Sequence, residues 1–408
     1  MTNPFENQHI VLGVTGSIAI YKAVDLASKL TQSGAVVDVV LTPSAEKFVC
    51  PITFQSVTGR KCYTDQDLWG GEGHVVHVGL GHAATLLLIA PASANTIAKL
   101  AAGLADNLLT ATSLVADCPI LIAPAMESHM YTHTATQANI QTLKGRGVKF
   151  IGPTEGRLAS GAVGYGRFVE PPDILSAVRY ELSRSAPLHG HKVVVTAGGT
   201  QEAIDPVRMI TNRSSGKQGY AVAQAALDQG AEVVLISAPT ALIPPYGSKL
   251  IEVTSASEMQ SAVIKEIPGT TALIMAAAVA DFKPQTTAQQ KIKKGSSSLD
   301  LHLEPTTDIL KEVASQKEKS GFPKITFGFA AESQDLLANA TKKLQEKKLD
   351  MIIANNISAS DAGFEVDTNR VTFLFSSGEK EELPLLTKIE VAEKAVSILI
   401  KELVSKKQ

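Results

Sequence analysis

The chain has 408 residues, 44% of them hydrophobic and 19% charged, with a formal net charge of −2. At about 150 residues per domain this length predicts two to three domains, and the composition excludes a mainly disordered chain, which needs low hydrophobicity and high net charge. The near-neutral balance leaves no electrostatic footprint for nucleic acid or an anionic membrane, and Cys50, Cys62 and Cys118 are too few and scattered for a disulfide framework or a four-thiolate zinc site.

Such cysteine usage predicts reduced, cytoplasmic life. The N-terminal stretch has no basic segment followed by an apolar one, so no signal peptide is expected. The apolar runs are strand-sized, so no membrane span is expected.

In chain order, Ile10–Val14, Val36–Leu41, Thr85–Ala90 and Pro119–Ala123 are short aliphatic runs bounded by Gly, Pro, Ser or Thr. They predict buried strands. Between the first two, Ile18–Leu30 places Val24, Leu26, Ala27 and Leu30 on a helical stripe. Strands alternating with helices of this length imply right-handed crossovers and a parallel sheet.

The pattern restarts after residue 188. Val193–Thr200 is a strand running into a glycine turn, a helix is predicted over about 216–230, and Glu232–Ser237 is the next strand. The class is α/β, with two doubly wound domains over 1–188 and 189–408 and a linker at Ser183–His189. The first part carries 13 basic and 14 acidic residues and the second 25 and 26, so the second has the denser charge. Asp281–Ser298 is polar, with lysines and a serine run, and is expected to be a mobile loop.

Ligands of open α/β sheets sit at the carboxyl ends of the strands. In the first domain those ends read Thr15-Gly16-Ser17, Thr42-Pro43-Ser44, Pro91-Ala-Ser93-Ala-Asn95-Thr96 and Pro124-Ala125-Met126. Hydroxyls and free N–H groups before helices suit a phosphate, and the same hydroxyls are also natural helix caps. No G-x-G-x-x-G and no P-loop pattern occurs there, so neither a dinucleotide fingerprint nor a P-loop is supported. His129 and His133 have a ligand-pair spacing but no intervening H-E-x-x-H glutamate. Together with His74, His77 and His82 they are therefore not assigned a metal.

The ordered set Gly13–Lys22, His77, Pro91–Thr96, Gly103–Leu109 and Pro124–Met126 resembles the FMN-dependent phosphopantothenoylcysteine decarboxylase family, over residues 8 to about 180. The resemblance implies a flavodoxin-like FMN-binding domain, phosphate contacts from Ser17, Thr42 and Ser44, and flavin-side contacts from Ser93, Asn95 and Thr96. It also implies His77 as acid/base and a trimer whose neighbouring subunits complete the site. In the family's reaction the cysteine moiety is oxidised to a thioaldehyde, whose thiocarbonyl accepts the electron pair as carbon dioxide leaves.

Two positions depart from the family pattern. Glu127 stands where an asparagine usually holds the substrate carboxylate, and an ionised side chain there would repel that group. Ser160 stands where a cysteine usually protonates the intermediate, and a hydroxyl is a far weaker acid than a thiol, whose reference pKa is about 8.5. Two readings follow: a decarboxylase with rewired proton transfer, Glu127 acting as the acid, or an FMN-binding scaffold attached to a working ligase.

In the second domain Thr196–Gly219 is mostly Gly, polar or charged. Its Ser214-Ser215-Gly216-Lys217 run can surround anionic oxygens with N–H, hydroxyl and ammonium donors. Further on, Asp281 and Asp308 are candidate Mg²⁺ ligands, and Lys291, Lys343 and Lys347 could neutralise a triphosphate. Asp205–Arg208, Asn212, Ser214–Lys217, Ala276–Asp281, Lys291–Lys294 and Phe329–Glu332, in this order, resemble the phosphopantothenate–cysteine ligase family over about 190–400.

That resemblance implies a Rossmann-like, dimeric domain that uses CTP. The phosphopantothenate carboxylate attacks the α-phosphate, pyrophosphate leaves, and the amine of cysteine attacks the acyl-nucleotide. Asn212 matches the residue at the acyl intermediate, and Lys291 the lysine stabilising charge in the first step. Nucleotide contacts carry over to Ser214, Ser215, Gly216, Lys217, Ala276, Asp281, Thr307, Asp308, Ile309, Leu310, Phe329, Lys343 and Lys347. Thr306-Thr307-Asp308 replaces a usual Asn/Thr-Pro-Asp and keeps the carboxylate. Together the resemblances imply a bifunctional coenzyme A biosynthesis enzyme with phosphopantothenate, cysteine and CTP as its small-molecule partners.

Overall fold

The computed structural model describes residues 3–69, 75–294, 299–332, 335–356 and 366–405. His74, residues 295–298 and Ser333 lie outside them, as does the side chain of Glu332. The chain divides into two compact units, Thr2–Ser183 and Arg184–Gln408.

The first unit runs β1 (His9–Val14), α1 (Ile20–Gln32), β2 (Val36–Leu41), α2 (Pro51–Thr58), β3 (Cys62–Tyr63), α3 (Val76–Ala83), β4 (Leu86–Ala92), α4 (Ala94–Ala102), α5 (Leu108–Val115) and β5 (Ile120–Pro124). It continues through α6 (Ser128–Thr132), α7 (Thr134–Gly145), β6 (Lys149–Phe150), a hairpin of β7 (Thr154–Arg157) and β8 (Val163–Arg167), and α8 (Pro171–Leu182). The sheet order is β3-β2-β1-β4-β5-β6, all parallel, with the order reversing between β1 and β4.

Side chains on a strand alternate between faces, and here both faces are apolar. Ile10, Leu12 and Val14 join Leu26, Leu30, Ile174 and Val178 in one core, while Val11 joins Ile97, Leu109 and Leu143 in the other. That two-sided burial explains why the predicted strands read as continuous aliphatic runs.

The second unit begins with β9 (Lys192–Ala197), the short pair β10 (Gln201–Ala203) and β11 (Met209–Thr211), α9 (Lys217–Asp228), β12 (Glu232–Ser237), β13 (Lys249–Glu252), α10 (Ala256–Glu266) and β14 (Ala272–Met275). A hairpin of β15 (Phe282–Pro284) and β16 (Leu303–Pro305) follows, then α11 (Ile309–Ser320), β17 (Ile325–Glu332), α12 (Leu336–Glu346) and β18 (Met351–Asn356). The chain ends with β19 (Thr368–Asn369), β20 (Val371–Phe375), β21 (Lys380–Glu382), β22 (Leu386–Thr387) and α13 (Lys388–Ser405). The sheet order is β13-β12-β9-β14-β17-β18-β20-β21, parallel as far as β18 and antiparallel at β20 and β21. Here the switch lies between β9 and β14.

Part of the stretch expected to be a mobile loop is hydrogen-bonded in this structure, and its residues 295–298 lie outside the described ones. Phe282–Pro284 is paired with Leu303–Pro305. The Ala288 N–H donates to Ile204 O at 3.0 Å, and the Thr287 hydroxyl to Ala203 O at 3.1 Å. The stretch is a strap stitched to the β10–β11 segment. No helix among the described residues is long and apolar enough to cross a membrane.

Candidate active sites

At the β1/β4 switch the first unit opens into a cleft of about 790 Å³. Ser17 comes from the β1–α1 turn, Lys22 from the first turn of α1, Ser93 from the end of β4, Glu127 from beyond the end of β5, and Ser160 from the β7–β8 hairpin. A second cavity of about 280 Å³ holds Thr42, Ser44, Asn95 and Thr96. Gly16 and Ser93 line both, so one groove crosses the switch point.

The groove depends on close backbone approaches. A Cβ at Gly16 would stand 2.6 Å from the Ser44 Cβ. Gly166 has φ +133°, and a Cβ on it would fall 2.3 Å from Met126 O. The Met126 N–H donates to Gly166 O at 3.1 Å. The hairpin is thereby laid on the end of β5, and this brings Ser160 into the cleft that holds Glu127.

Several predicted contacts have structural duties. Ser93 caps α4: its Oγ accepts from the Thr96 N–H at 3.3 Å and lies 3.2 Å from the Thr96 hydroxyl. The buried Thr15 hydroxyl donates to Pro91 O and accepts from the Ser93 N–H, both at 2.8 Å, and so fixes the end of β4. Sequence reading placed Thr15 at the strand end without giving it this duty.

Glu127 does not fit the expected general acid. It caps α6, with Oε2 accepting from the His129 N–H at 2.7 Å and Oε1 lying 3.2 Å from His129 Nδ1. Desolvation pushes its carboxyl up, but hydrogen bonds from the His129 backbone and ring outweigh that and hold it below the usual carboxylate range. A capping carboxylate at a helix N-terminus is stabilised in its ionised form.

His77 lines neither cavity. It sits in the first turn of α3, with Nδ1 buried and without a hydrogen-bond partner among the described residues. Beside it Trp69 is 90% exposed and Val75 56%. At the cleft, Ile18 is 61% exposed and Tyr21 68%.

In the second unit the switch between β9 and β14 carries two chambers with common walls at Ala277, Ala278 and Phe329–Ala331. The larger, about 500 Å³, holds Asn212, Asp281, Thr307, Asp308, Ile309, Leu310, Lys343 and Lys347. The smaller, about 130 Å³, holds Ser214–Lys217 and Ala276.

The buried Thr196 and Thr200 and the half-buried Thr306 build this floor. The Thr196 hydroxyl accepts from the Ala277 N–H at 3.1 Å, the Thr200 hydroxyl from the Ala280 N–H at 2.8 Å, and the Thr306 hydroxyl donates to Ala280 O at 2.6 Å. The Asn212 amide donates to Ala278 O at 3.3 Å and Val279 O at 3.1 Å. Its nitrogen is thus committed to the floor.

Asp308 caps α11, accepting from the Lys311 N–H at 3.4 Å, and pairs with Lys347 at 3.2 Å. No group of three or more metal-ligating side chains occurs among the described residues. Asp281 and Asp308 both line the larger chamber, and two carboxylates are a donor set that fits Mg²⁺, which completes its shell with phosphate oxygens and water.

Lys291 lines neither chamber. Its neighbour Ile292 is held by the Asp205–Arg208 pair: the Ile292 N–H donates to Asp205 Oδ2 at 3.2 Å, and the Arg208 guanidinium donates to Ile292 O. The Asp-Pro-Val-Arg motif is an anchor for the strap.

Two family models match the chain: "Flavoprotein" over residues 2–183, and "DNA/pantothenate metabolism flavoprotein C-terminal domain" over 188–403. Among curated proteins, the coenzyme A biosynthesis bifunctional protein CoaBC of Bacillus subtilis (strain 168) is 47% identical over 95% of this chain and 95% of its own length. The protein of that name from Vibrio cholerae serotype O1 is 43% identical, covering 96% of this chain and 98% of its own length. That from Mycobacterium tuberculosis is 41% identical, covering 96% of both.

Proposed function

The chain belongs to the family of bifunctional coenzyme A biosynthesis proteins, and from that premise we propose how its residues divide the work. The enzyme ligates cysteine to phosphopantothenate with CTP, then decarboxylates the product with FMN. The scaffold-only reading of the first unit has no support among relatives that are bifunctional over almost the whole chain. The observation that carries the assignment is that each sheet's switch point opens on a cleft lined by one family's motif residues.

In the ligase unit, the phosphopantothenate carboxylate attacks the α-phosphorus of CTP and pyrophosphate departs. The amine of cysteine then attacks the acyl carbon and CMP departs. Lys343, Lys347 and the Ser214–Lys217 turn neutralise the nucleotide's oxygens, so the gain comes from fixed charge and position. Asp281 and Asp308, together with those oxygens, would hold Mg²⁺, which would supply further positive charge there. Asn212, its nitrogen tied to Ala278 and Val279, offers Oδ1 to the acyl intermediate. Lys291 reaches the reacting carboxylate from the anchored strap.

In the flavoprotein unit the donor set fits FMN. Ser17, Thr42 and Ser44 supply hydroxyls for its phosphate, and Ser93, Asn95 and Thr96 line the groove on the ring side. When bound, FMN supplies the oxidation of the cysteine moiety and later returns the electrons. Ser160, at the hairpin, delivers the closing proton through its hydroxyl. Glu127 stays ionised, caps α6 and sets the local charge of the substrate's binding place.

His77 acts as acid/base from a neighbouring copy. The exposed apolar surfaces beside His77 and beside the cleft are separate patches, as a heterologous, ring-closing contact requires. We assign trimeric flavin units and dimeric ligase units, and a cytoplasmic location.

The test is a reconstituted reaction of phosphopantothenate, cysteine, CTP and Mg²⁺ on the full chain, with products separated by mass. Phosphopantetheine supports both activities. Phosphopantothenoylcysteine alone removes the decarboxylase, and neither product sinks the reading.

A further inference from the structure

The smaller ligase chamber contains a residue that the mechanism above leaves unused. Lys388, the first residue of α13, lines it and is only 6% exposed. Lys217 lines the same chamber from the first turn of α9.

Local structure fixes Lys388 in place. Glu390 Oε2 accepts from the Thr387 N–H at 2.7 Å, and the Thr387 hydroxyl accepts from the Glu390 N–H at 3.2 Å. This reciprocal pair is a capping box. The Lys388 N–H donates to Asp367 O at 2.9 Å. Behind it runs a chain of amides: Asn355 Nδ2 donates to Asn369 Oδ1 at 3.2 Å, Asn369 Nδ2 to Gln218 Oε1 at 2.9 Å, and Gln218 Nε2 to Lys388 O at 3.1 Å. Asn355 Oδ1, at the head of that chain, with Asn355 in the chamber wall, is buried without a hydrogen-bond partner among the described residues.

Burial, and then the neighbouring Lys217, push the Lys388 ammonium below the ordinary lysine range, against the attraction of Asp367. The N-terminus of α13 is itself a positive end. Asp367 is exposed and pairs with Lys217 at 2.6 Å. Two ammonium groups, one of them buried, beside the Ser214–Gly216 turn make a site for the oxygens of an anion.

We propose that Lys388 is a phosphate-binding residue of the ligase site, closing with Lys217 on the phosphate oxygens of a substrate. The proposal rests on the ligase reading above. The phosphate belongs either to the triphosphate of CTP or to the monoester of phosphopantothenate.

The test uses the full chain with Lys388→Met, which keeps the apolar stem, and Lys388→Arg, which keeps the charge. Binding of CTP and of phosphopantothenate is measured separately by calorimetry, alongside KM for cysteine and the melting temperature. Lys388→Met is expected to weaken one phosphorylated substrate by about tenfold or more, with Lys388→Arg recovering most of it and the KM for cysteine unmoved. Weaker CTP binding, with a matching loss of inhibition by pyrophosphate, assigns the triphosphate. Weaker phosphopantothenate binding assigns the monoester. Unchanged binding of both overturns the proposal, as does a uniform loss across all three substrates in step with a lower melting temperature. Wild-type protein without ligase activity would instead overturn the underlying reading.

Discussion

Asp205 and Arg208 form an ion pair at 2.7 Å that grips one residue of the strap, with Asp205 taking the N–H of Ile292 and Arg208 its carbonyl. The Asp205 side chain is fully buried and that of Arg208 is 41% exposed. Asp205→Asn cannot reproduce this, because an amide presents a donor where two donors already converge. Ligase kcat/KM is expected to fall by about tenfold, and trypsin is expected to cut at Lys291–Lys294 faster than in the wild type. Unchanged cleavage would remove the anchoring role.

The same carboxyl supplies a pH signature. Burial pushes it up, but the N–H groups of Val207, Arg208 and Ile292 outweigh that and hold it down to about 2. Its pKa is depressed on folding, so its contribution is complete above the unfolded value. That contribution is lost as pH falls through the folded value. The stability gap between wild type and Asp205→Asn in urea is expected to be constant above about pH 5 and to close as pH approaches about 2. A gap that widens on acidification would contradict the geometry.

Glu127 and Ser160 meet in one cleft, so their replacements should be read together. Glu127→Asn keeps a good helix cap and removes the charge. The KM for phosphopantothenoylcysteine is expected to fall by several-fold with little change in melting temperature. Ser160→Cys restores a stronger acid, and mass analysis should show less of the unsaturated thiol and more phosphopantetheine. If neither variant speeds decarboxylation, these residues do not limit it.

Gly166→Ala places a methyl against Met126 O at a positive φ. Strain of this kind costs about 1–3 kcal/mol. The hairpin should lift, and the purified protein should carry less flavin by visible absorbance and lose decarboxylation. Ligation should continue, since its chambers are built from the other unit.

A site completed by a second copy allows complementation. His77→Gln and Gly166→Ala, each inactive as a decarboxylase, are co-expressed. In a randomly mixed ring about a quarter of the sites combine an intact cleft with an intact His77, and activity should return to that order. No recovery would place His77 within its own chain's site.

The sequence by itself determined the two α/β units and where their ligands go. Parallel strands buried on both faces must be aliphatic runs, and the polar residues expelled from them gather at the strand ends. Ser17, Ser93 and Ser214–Lys217 could be picked out as candidates from that pattern and Asn212 from the family resemblance, and all of them line clefts at the switch points. Tertiary structure decided what distance along the chain conceals. The antiparallel edge at β20 and β21 was hidden, because β21 is three exposed residues and the short buried run of β20 does not reveal its direction. Lys388 meets Gln218 across 170 residues, and no periodicity encodes that meeting. Glu127 looked like a candidate acid until its carboxylate was seen capping α6. A side chain's protonation follows from the N–H groups that fold around it, and those are fixed only when the chain closes.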